Sequence, residues 1–122
     1  MRNLTAALKA ASDPGRTRVL KMLEAGELCV CQIQAVLGLA PSTVSRHLGL
    51  LRSAGLVVDR QEGRWAYYTL AKASKEPDAR AVLRLVRRSL VRDPRIVEDR
   101  RRLKAARRLA PGAPCESRKG GS

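Results

Sequence analysis

The hydrophobic pattern changes period near residue 55, and this change constrains the fold more than any other feature. Before it, apolar residues recur at three- and four-residue spacing, as on amphipathic helices. After it, residues 56–60 (LVVDR) and 65–70 (WAYYTL) are rich in the β-branched and aromatic residues typical of strands. Residues 61–64 (QEGR) between them indicate a hairpin turn. The sequence therefore predicts a helical body followed by a two-stranded wing.

Glycine and proline divide the helical part into segments. Asp13 is a capping residue, and Pro14 suits a first helical turn. Gly38 ends one helix and Pro41 opens the next, and a helix, a glycine-containing turn and a second helix make a helix-turn-helix. The predicted helices cover residues 3–12, 14–25, 29–37, 41–53, 77–91 and about 95–109.

The charge of the chain points to its partners. Twenty-five basic residues against 11 acidic ones give a net charge of +14, which favours nucleic acid or an anionic membrane. There is no apolar run of about 18 residues to span a bilayer. The first residues, MRNLTAALKAASDP, lack the apolar centre of a signal peptide. We therefore expect a cytoplasmic protein with no membrane partner. There is also no cofactor loop or acid–base pair, so we expect neither an enzyme nor a required cofactor.

The helix over 41–53 has the residues expected of a DNA-reading helix. Its apolar residues share one face, and short hydroxyl side chains and an arginine occupy the other. Such residues near a helix N-terminus suit the major groove, where arginine contacts guanine. The alternative is an ordinary solvated face. For the only histidine, His47, both a groove-facing role and a packing role are open. The predicted base-facing residues are Ser42, Thr43, Ser45, Arg46 and His47.

Two arginines flank the predicted hairpin turn. Arg60 and Arg64 can reach the phosphates beside a groove that the helix occupies. Together with the net charge, they favour nucleic-acid binding over a solvated helix face.

Three cysteines are the remaining candidates for chemistry. Cys29 and Cys31 lie one residue apart in ELCVCQIQ, and Cys115 lies in the C-terminal PGAPCESRKGGS. On a helix, residues i and i+2 point about 200° apart, which disfavours a disulfide and means that one ion binds both only with local unwinding. Thiolates are soft ligands for soft ions. Buried structural cysteines, an oxidation sensor using Cys115 and a ligand site remain open at this point.

The segment ELCVCQIQAVLGLAPSTVSRHLGLLRSAGLVVDRQEGRWAYYTL resembles the ArsR/SmtB family of winged helix-turn-helix repressors, and the likeness covers about residues 3–91. It implies a mainly α fold with a small β-hairpin wing, five to six helices and a homodimer. Such a protein binds double-stranded operator DNA and is released by a metal or metalloid.

The stretch ELCVC is similar to the arsenic-responsive branch of that family. The resemblance implies that Cys29 and Cys31 bind trivalent arsenic or antimony as the effector. That branch commonly has a third cysteine where this chain has Gln34, so the third ligand does not carry over. Cys115, a thiol from solution or water can complete the site. The zinc and cadmium site of the family's C-terminal helices is not expected, because residues 77–109 contain no His and no Cys.

Two alternatives to an arsenic-responsive repressor remain. One is a repressor of the same fold that senses another soft metal ion or an oxidant. The other is a constitutive DNA-binding protein with structural cysteines.

The predicted organisation has three parts. Residues 1–95 form the winged helix-turn-helix and dimerisation domain, 96–110 a basic C-terminal helix, and 111–122 a disordered tail with Cys115. The basic run 98–108 suits phosphate contacts or a solvated face equally. The apolar residues expected at the dimer interface, or in the intramolecular core, are Leu4, Leu8, Val82, Val86 and Leu90.

Overall fold

The computed structural model describes residues 1–108, which form six helices and three short strands. Cys115 and the predicted tail 111–122 lie outside the described residues. Within residues 1–108, no helix has both the length and the apolar character needed to cross a membrane. The elements are α1 (Arg2–Ser12), α2 (Pro14–Leu23), β1 (Leu28–Cys29), α3 (Val30–Leu37), α4 (Pro41–Ser53), β2 (Val57–Glu62), β3 (Trp65–Leu70), α5 (Pro77–Arg88) and α6 (Pro94–Arg107). The prediction of a mainly α fold with a small hairpin wing is confirmed.

Local capping sets where α2 and α6 begin. The carboxylate of Asp13 accepts a hydrogen bond from the backbone N–H of Arg16 at 3.1 Å, and proline follows it at the first helical position. Asp93 caps α6 in the same way, again with proline following. Each cap satisfies backbone donors that have no partner inside the helix.

The strands form one antiparallel sheet in the order β1-β3-β2. The prediction of a two-stranded wing missed β1, whose Leu28 pairs with Tyr68 and whose Cys29 pairs with Tyr67. A two-residue strand is too short to show alternation. The wing, defined as the hairpin β2–β3, is also longer than predicted. Its pairing continues through Glu62, which leaves only residues 63 and 64 in the loop.

Helix α5 is shorter than its apolar spacing predicted. It ends at Arg88 instead of residue 91, and Leu90 lies beyond it with a φ of 61°, which is uncommon for a residue other than glycine. The buried ammonium of Lys21 helps to end the helix at this position. It donates to the carbonyl oxygens of Val86 and Arg87 at 3.1 and 3.3 Å. A cation is favourable at a helix C-terminus, where carbonyls lack intrahelical partners.

Helix α6 packs against α3 and α2. The guanidinium of Arg18 donates to both carboxylate oxygens of Asp99, at 2.8 and 3.0 Å, and Asp99 is only 2% exposed. This bond raises the pKa of Arg18, although burial alone lowers it. At the other end of α6, Arg107 donates to the carbonyl of Ala25 at 3.1 Å. The basic run at 98–108 therefore has one face against the body and one in solvent.

The core contains aliphatic side chains and no phenylalanine, as the composition requires. The largest of its fully buried side chains are Leu20, Met22, Leu23, Leu28, Ile33, Leu48, Leu51 and Leu56.

Replacing Asp99 with alanine tests whether the buried ion pair holds α6 in place. We expect Asp99→Ala to lower the free energy of unfolding by about 2 kcal/mol, because Arg18 is left partly buried without a counter-charge. Urea unfolding followed by circular dichroism measures this. The matched control is Glu98→Ala, which removes a neighbouring carboxylate that pairs with Arg101 at the surface and should change little. Equal losses of unfolding free energy in the two variants would contradict the role of the Arg18–Asp99 pair in holding α6 in place.

Candidate functional site

The N-terminal half of α4 presents the predicted polar face to solvent. Val44, Leu48 and Leu51 are buried on the opposite face, so packing against the body fixes the rotation of the helix. Four of the predicted base-facing residues are exposed and lie together on its first two turns: Ser42, Thr43, Ser45 and Arg46.

The structure separates His47 from this set. Its side chain is only 14% exposed and packs against the start of α2. The guanidinium of Arg16 lies 3.3 Å from Nδ1, and the carboxylate of Asp13 lies 3.9 Å from Nε2. A Cβ added at Gly15 would lie 2.8 Å from Nε2, so a larger residue at this position would displace the ring. His47 thus joins α4 to α2, and the low exposure of its ring favours the packing role that the sequence left open over the groove-facing one.

The two wing arginines differ in position. Arg64 is exposed in the two-residue loop, where its guanidinium lies 5.1 Å from the ring centroid of Trp65. Arg60 does not flank the turn. It pairs with Tyr67 in the middle of the hairpin, and its guanidinium binds the carboxylate of Glu27 at 2.7 and 2.8 Å. Of the two arginines expected to reach phosphates, Arg64 lies at the loop, whereas the guanidinium of Arg60 binds Glu27 in the structure.

Cys29 and Cys31 lie at the junction of β1 and α3. Cys29 has extended backbone angles (φ −70°, ψ 145°) and precedes the first residue of α3. Cys31 is the second residue of that helix, and the two side chains are 0% and 1% exposed. The helix predicted over residues 29–37 therefore begins at Val30 in the structure, one residue later than predicted. Because Cys29 is not helical, the angle expected for two helical residues does not apply to this pair.

Two glutamines surround this junction. The side chain of Gln32 accepts a hydrogen bond from the backbone N–H of Cys29 at 2.9 Å, which fixes the start of α3. Gln34 occupies the position where the resembled branch has its third cysteine, and it is buried. Within residues 1–108, His, Cys, Asp and Glu side chains do not come together in a group of three that could hold a metal ion. Cys115, the third predicted ligand, lies outside these residues.

The predicted dimer residues fall into two groups. Leu4 and Leu8 on α1 are 39% and 45% exposed. Val82 and Val86 are buried within the monomer, because α1 and α5 pack against each other and against α2. They belong to the intramolecular core that the sequence left as the alternative. Leu90 is exposed but lies outside α5.

The sequence did not reveal Glu27 and Tyr67 as part of this region. Both contact Arg60, Glu27 through its carboxylate and Tyr67 through its ring, 4.5 Å from the guanidinium carbon. The hydrogen bond from Arg60 lowers the pKa of Glu27. The only signal was the presence of opposite charges at residues 27 and 60, which means little until β1 is known to join the sheet.

A substitution of His47 separates its packing role from a groove-facing one. We expect His47→Ala to lower the free energy of unfolding by about 1 kcal/mol, because a largely buried ring between α4 and α2 is lost. The control is Arg46→Ala, next to it and exposed, with a change within about 0.5 kcal/mol. Chemical denaturation of both variants provides the measurement, and a neutral His47→Ala would argue against the packing role.

Comparison with known proteins relates this chain to one family of bacterial regulatory proteins. The model of the family described as "Bacterial regulatory protein, arsR family" matches residues 13–58. The arsenical resistance operon repressor of Escherichia coli (strain K12) is 47% identical over 64 residues, 52% of this chain and 55% of that protein. A cadmium resistance transcriptional regulatory protein homologue of Staphylococcus aureus is 40% identical over 63 residues, 51% of this chain and 52% of that protein. The chain spans about half the length of the curated relatives it matches.

Solved structures extend the likeness over more of the chain. A possible transcriptional regulator for arsenical resistance is 34% identical with a TM-score of 0.55, covering 81% of this chain and 93% of that one. A homodimeric winged helix-turn-helix DNA-binding domain from Mycobacterium bovis, described as a possible ArsR-family regulator, is 31% identical with a TM-score of 0.60, covering 70% and 76%. Both are described as possible transcriptional regulators, in agreement with the prediction that the chain is not an enzyme. The chain belongs to the ArsR family of bacterial regulatory proteins and has the winged helix-turn-helix fold.

Proposed function

We propose that this protein is a cytoplasmic, homodimeric repressor that binds double-stranded operator DNA and is released by trivalent arsenic or antimony. The observation that carries the proposal is the position of the cysteines. Cys29 lies in a strand paired with the wing and Cys31 in a helix that packs against α4. A ligand bound at this junction therefore contacts β1, which pairs with the wing, and α3, which packs against α4. The wing and α4 are the two elements that would face DNA.

The DNA-binding part rests on shape and charge. Helix α4 exposes hydroxyl side chains and Arg46 at its N-terminal end, the end that enters the major groove in helix-turn-helix proteins. The wing carries Arg64 at its tip, where it can bind a phosphate. The net charge of +14 adds a long-range attraction to DNA.

The effector part rests on ligand chemistry. Sulfur ligands select soft ions, and Cys29 and Cys31, in their reduced form, supply two such ligands from positions one residue apart. The third ligand is Cys115 or a small thiol or water from solution. Relatives named for arsenic and for cadmium match this chain at similar identity. Another soft ion is therefore the second candidate effector.

The homodimer rests on exposed apolar surface. Leu4 and Leu8 on α1 and Leu85 on α5 are each more than a third exposed. Exposed apolar side chains on two packed helices suit a second copy of the chain, and a structural neighbour in the same family is homodimeric.

The deciding experiment is a titration of arsenite into the complex with operator DNA. Fluorescence anisotropy on labelled DNA from the protein's own promoter, under reducing conditions, should show tight binding and stoichiometric release. Tight binding that arsenite does not change would refute the arsenic assignment and leave the DNA-binding fold, and the same titration with cadmium and with peroxide would then test the alternatives.

Substitution of the cysteines locates the effector site. We expect Cys29→Ser and Cys31→Ser each to bind operator DNA but to lose release by arsenite, because each removes one sulfur ligand. Val30→Ala, between the two, is the matched control and should keep release. Cys115→Ser tests the third ligand: weaker arsenite binding would include Cys115, and unchanged binding would exclude it. Release that survives in both of the first two variants would contradict the site.

Removing the arginine at the wing tip tests the phosphate contact. We expect Arg64→Ala to weaken binding to all DNA sequences alike and to lower the slope of log K against log salt by about one unit, since one phosphate contact is lost. Anisotropy at several salt concentrations, on operator and unrelated DNA, measures this. A loss confined to the operator would instead indicate base recognition.

A further inference from the structure

A row of side chains crosses the sheet from the cysteine segment to the outer strand of the wing. Tyr67 on the central strand lies opposite Cys29 of β1 on one side and Arg60 of β2 on the other. Residues directly opposite in neighbouring antiparallel strands project from the same face. Cys29, which is distant in sequence from the wing, therefore forms one continuous row with Tyr67 and Arg60.

An ion pair spans the same three strands at their edge. Nε and Nη2 of Arg60 donate to the two carboxylate oxygens of Glu27 at 2.8 and 2.7 Å. The same guanidinium lies 4.5 Å from the ring centroid of Tyr67 and 3.5 Å from the carboxylate of Glu62. A bidentate pair of this kind fixes both partners in one orientation. Glu27 precedes β1 directly, so this pair connects the cysteine segment to β2 without passing through the backbone pairing.

The cysteine segment has to move when a ligand reaches Cys29. Its side chain is fully buried, and close-packed surroundings leave no space for an added ion. Two residues of pairing make β1 the shortest strand of the sheet, so its attachment gives way more readily than a helix does. The Glu27–Arg60 pair is a side-chain contact between this segment and the wing, and it resists this movement.

We propose that Glu27, Arg60 and Tyr67, here called the latch, transmit occupancy of the cysteine segment to the wing. This inference rests on the proposed function for the identity of the ligand. With the latch closed, the wing is held in the position that binds DNA. A ligand on Cys29 draws β1 away from β3, opens the latch and releases the wing. The three latch residues are positioning residues, because they act through the wing and bind neither the effector nor a base.

Thermodynamic linkage between the opening of β1 and DNA binding fixes the direction of each expected effect. If opening β1 weakens DNA binding, then DNA binding must hold β1 closed by the same factor. A variant with a broken latch should bind operator more weakly without effector, and added arsenite should weaken it by a smaller factor than wild type. The pair is partly exposed, with side-chain exposures of 50% and 34%, so we expect a change of roughly three- to tenfold in each quantity.

The test compares Glu27→Gln with Asp59→Asn. The first removes the charge that holds Arg60. The second removes the carboxylate that pairs with Arg52 of α4 at 3.2 Å, so it breaks a contact of similar exposure on the same strand that does not reach the cysteine segment. Operator affinity with and without arsenite gives the coupling ratio of each variant. We expect the ratio to fall in Glu27→Gln and to stay at the wild-type value in Asp59→Asn.

A second measurement needs no arsenic. Iodoacetamide can alkylate buried Cys29 only when β1 opens, and peptide mapping by mass spectrometry follows Cys29 separately from the other cysteines. We expect the rate to rise roughly three- to tenfold in Glu27→Gln, to stay unchanged in Asp59→Asn and to fall when operator DNA is bound. The double variant Glu27→Arg with Arg60→Glu, which restores the pair in reverse, should return most of the protection.

The outcomes separate the two proposals. If Glu27→Gln leaves both the alkylation rate and the operator affinity at wild-type values, the latch is refuted. It is also refuted if Asp59→Asn raises the alkylation rate equally, since that result indicates general loosening of the wing. If arsenite fails to release the wild-type protein, the proposed effector is wrong, and the alkylation rates with and without DNA still decide the latch.

Discussion

Most of the arrangement around the candidate site depends on the pairing of Leu28 and Cys29 with β3. This pairing holds the segment extended, so that α3 starts after Cys29 instead of at it. It also makes β3 the central strand and brings residues 27–29 beside a hairpin that begins almost 30 residues later. Without it, the cysteine segment would lack its backbone connection to the wing. With it, the segment has one connection to the helix that supports α4 and another to the wing.

The body around this junction is held more firmly than the junction itself. Helix α6 is fixed to α2 through the buried carboxylate of Asp99, and the end of α5 is fixed by the buried ammonium of Lys21. Charged groups buried in this way are costly to separate once they are paired. The contacts between Glu27 and Arg60 are equally short but partly exposed, and exposed pairs contribute little. The fold thus places its weaker contacts where a regulatory movement would occur.

The sequence predicted what depends on local pattern. The helical period, the Asp–Pro starts of α2 and α6 and the change to strand composition after residue 55 all hold in the structure. It could not predict what depends on a distant partner. A two-residue strand such as β1 has no alternation that a sequence could show. The ion pair of Arg60 requires Glu27, and the ring of His47 packs beside Gly15, and both partners are more than 30 residues away in the chain. The apolar spacing likewise continued past Arg88, although the helix does not.

The docking of α6 has a consequence for the residues that follow it. Arg107 is bound to the carbonyl of Ala25 at 3.1 Å, four residues before Cys29, so the chain after Arg108 starts from a fixed point close to the cysteine segment. Cys115 is seven residues further along, and a chain of that length spans at most about 25 Å. If Cys115 is the third ligand, it is covalently attached to the rest of the site, so its binding is an intramolecular step. Dilution of the protein does not change the rate of an intramolecular step, whereas it lowers the encounter rate of every thiol carried on a separate molecule.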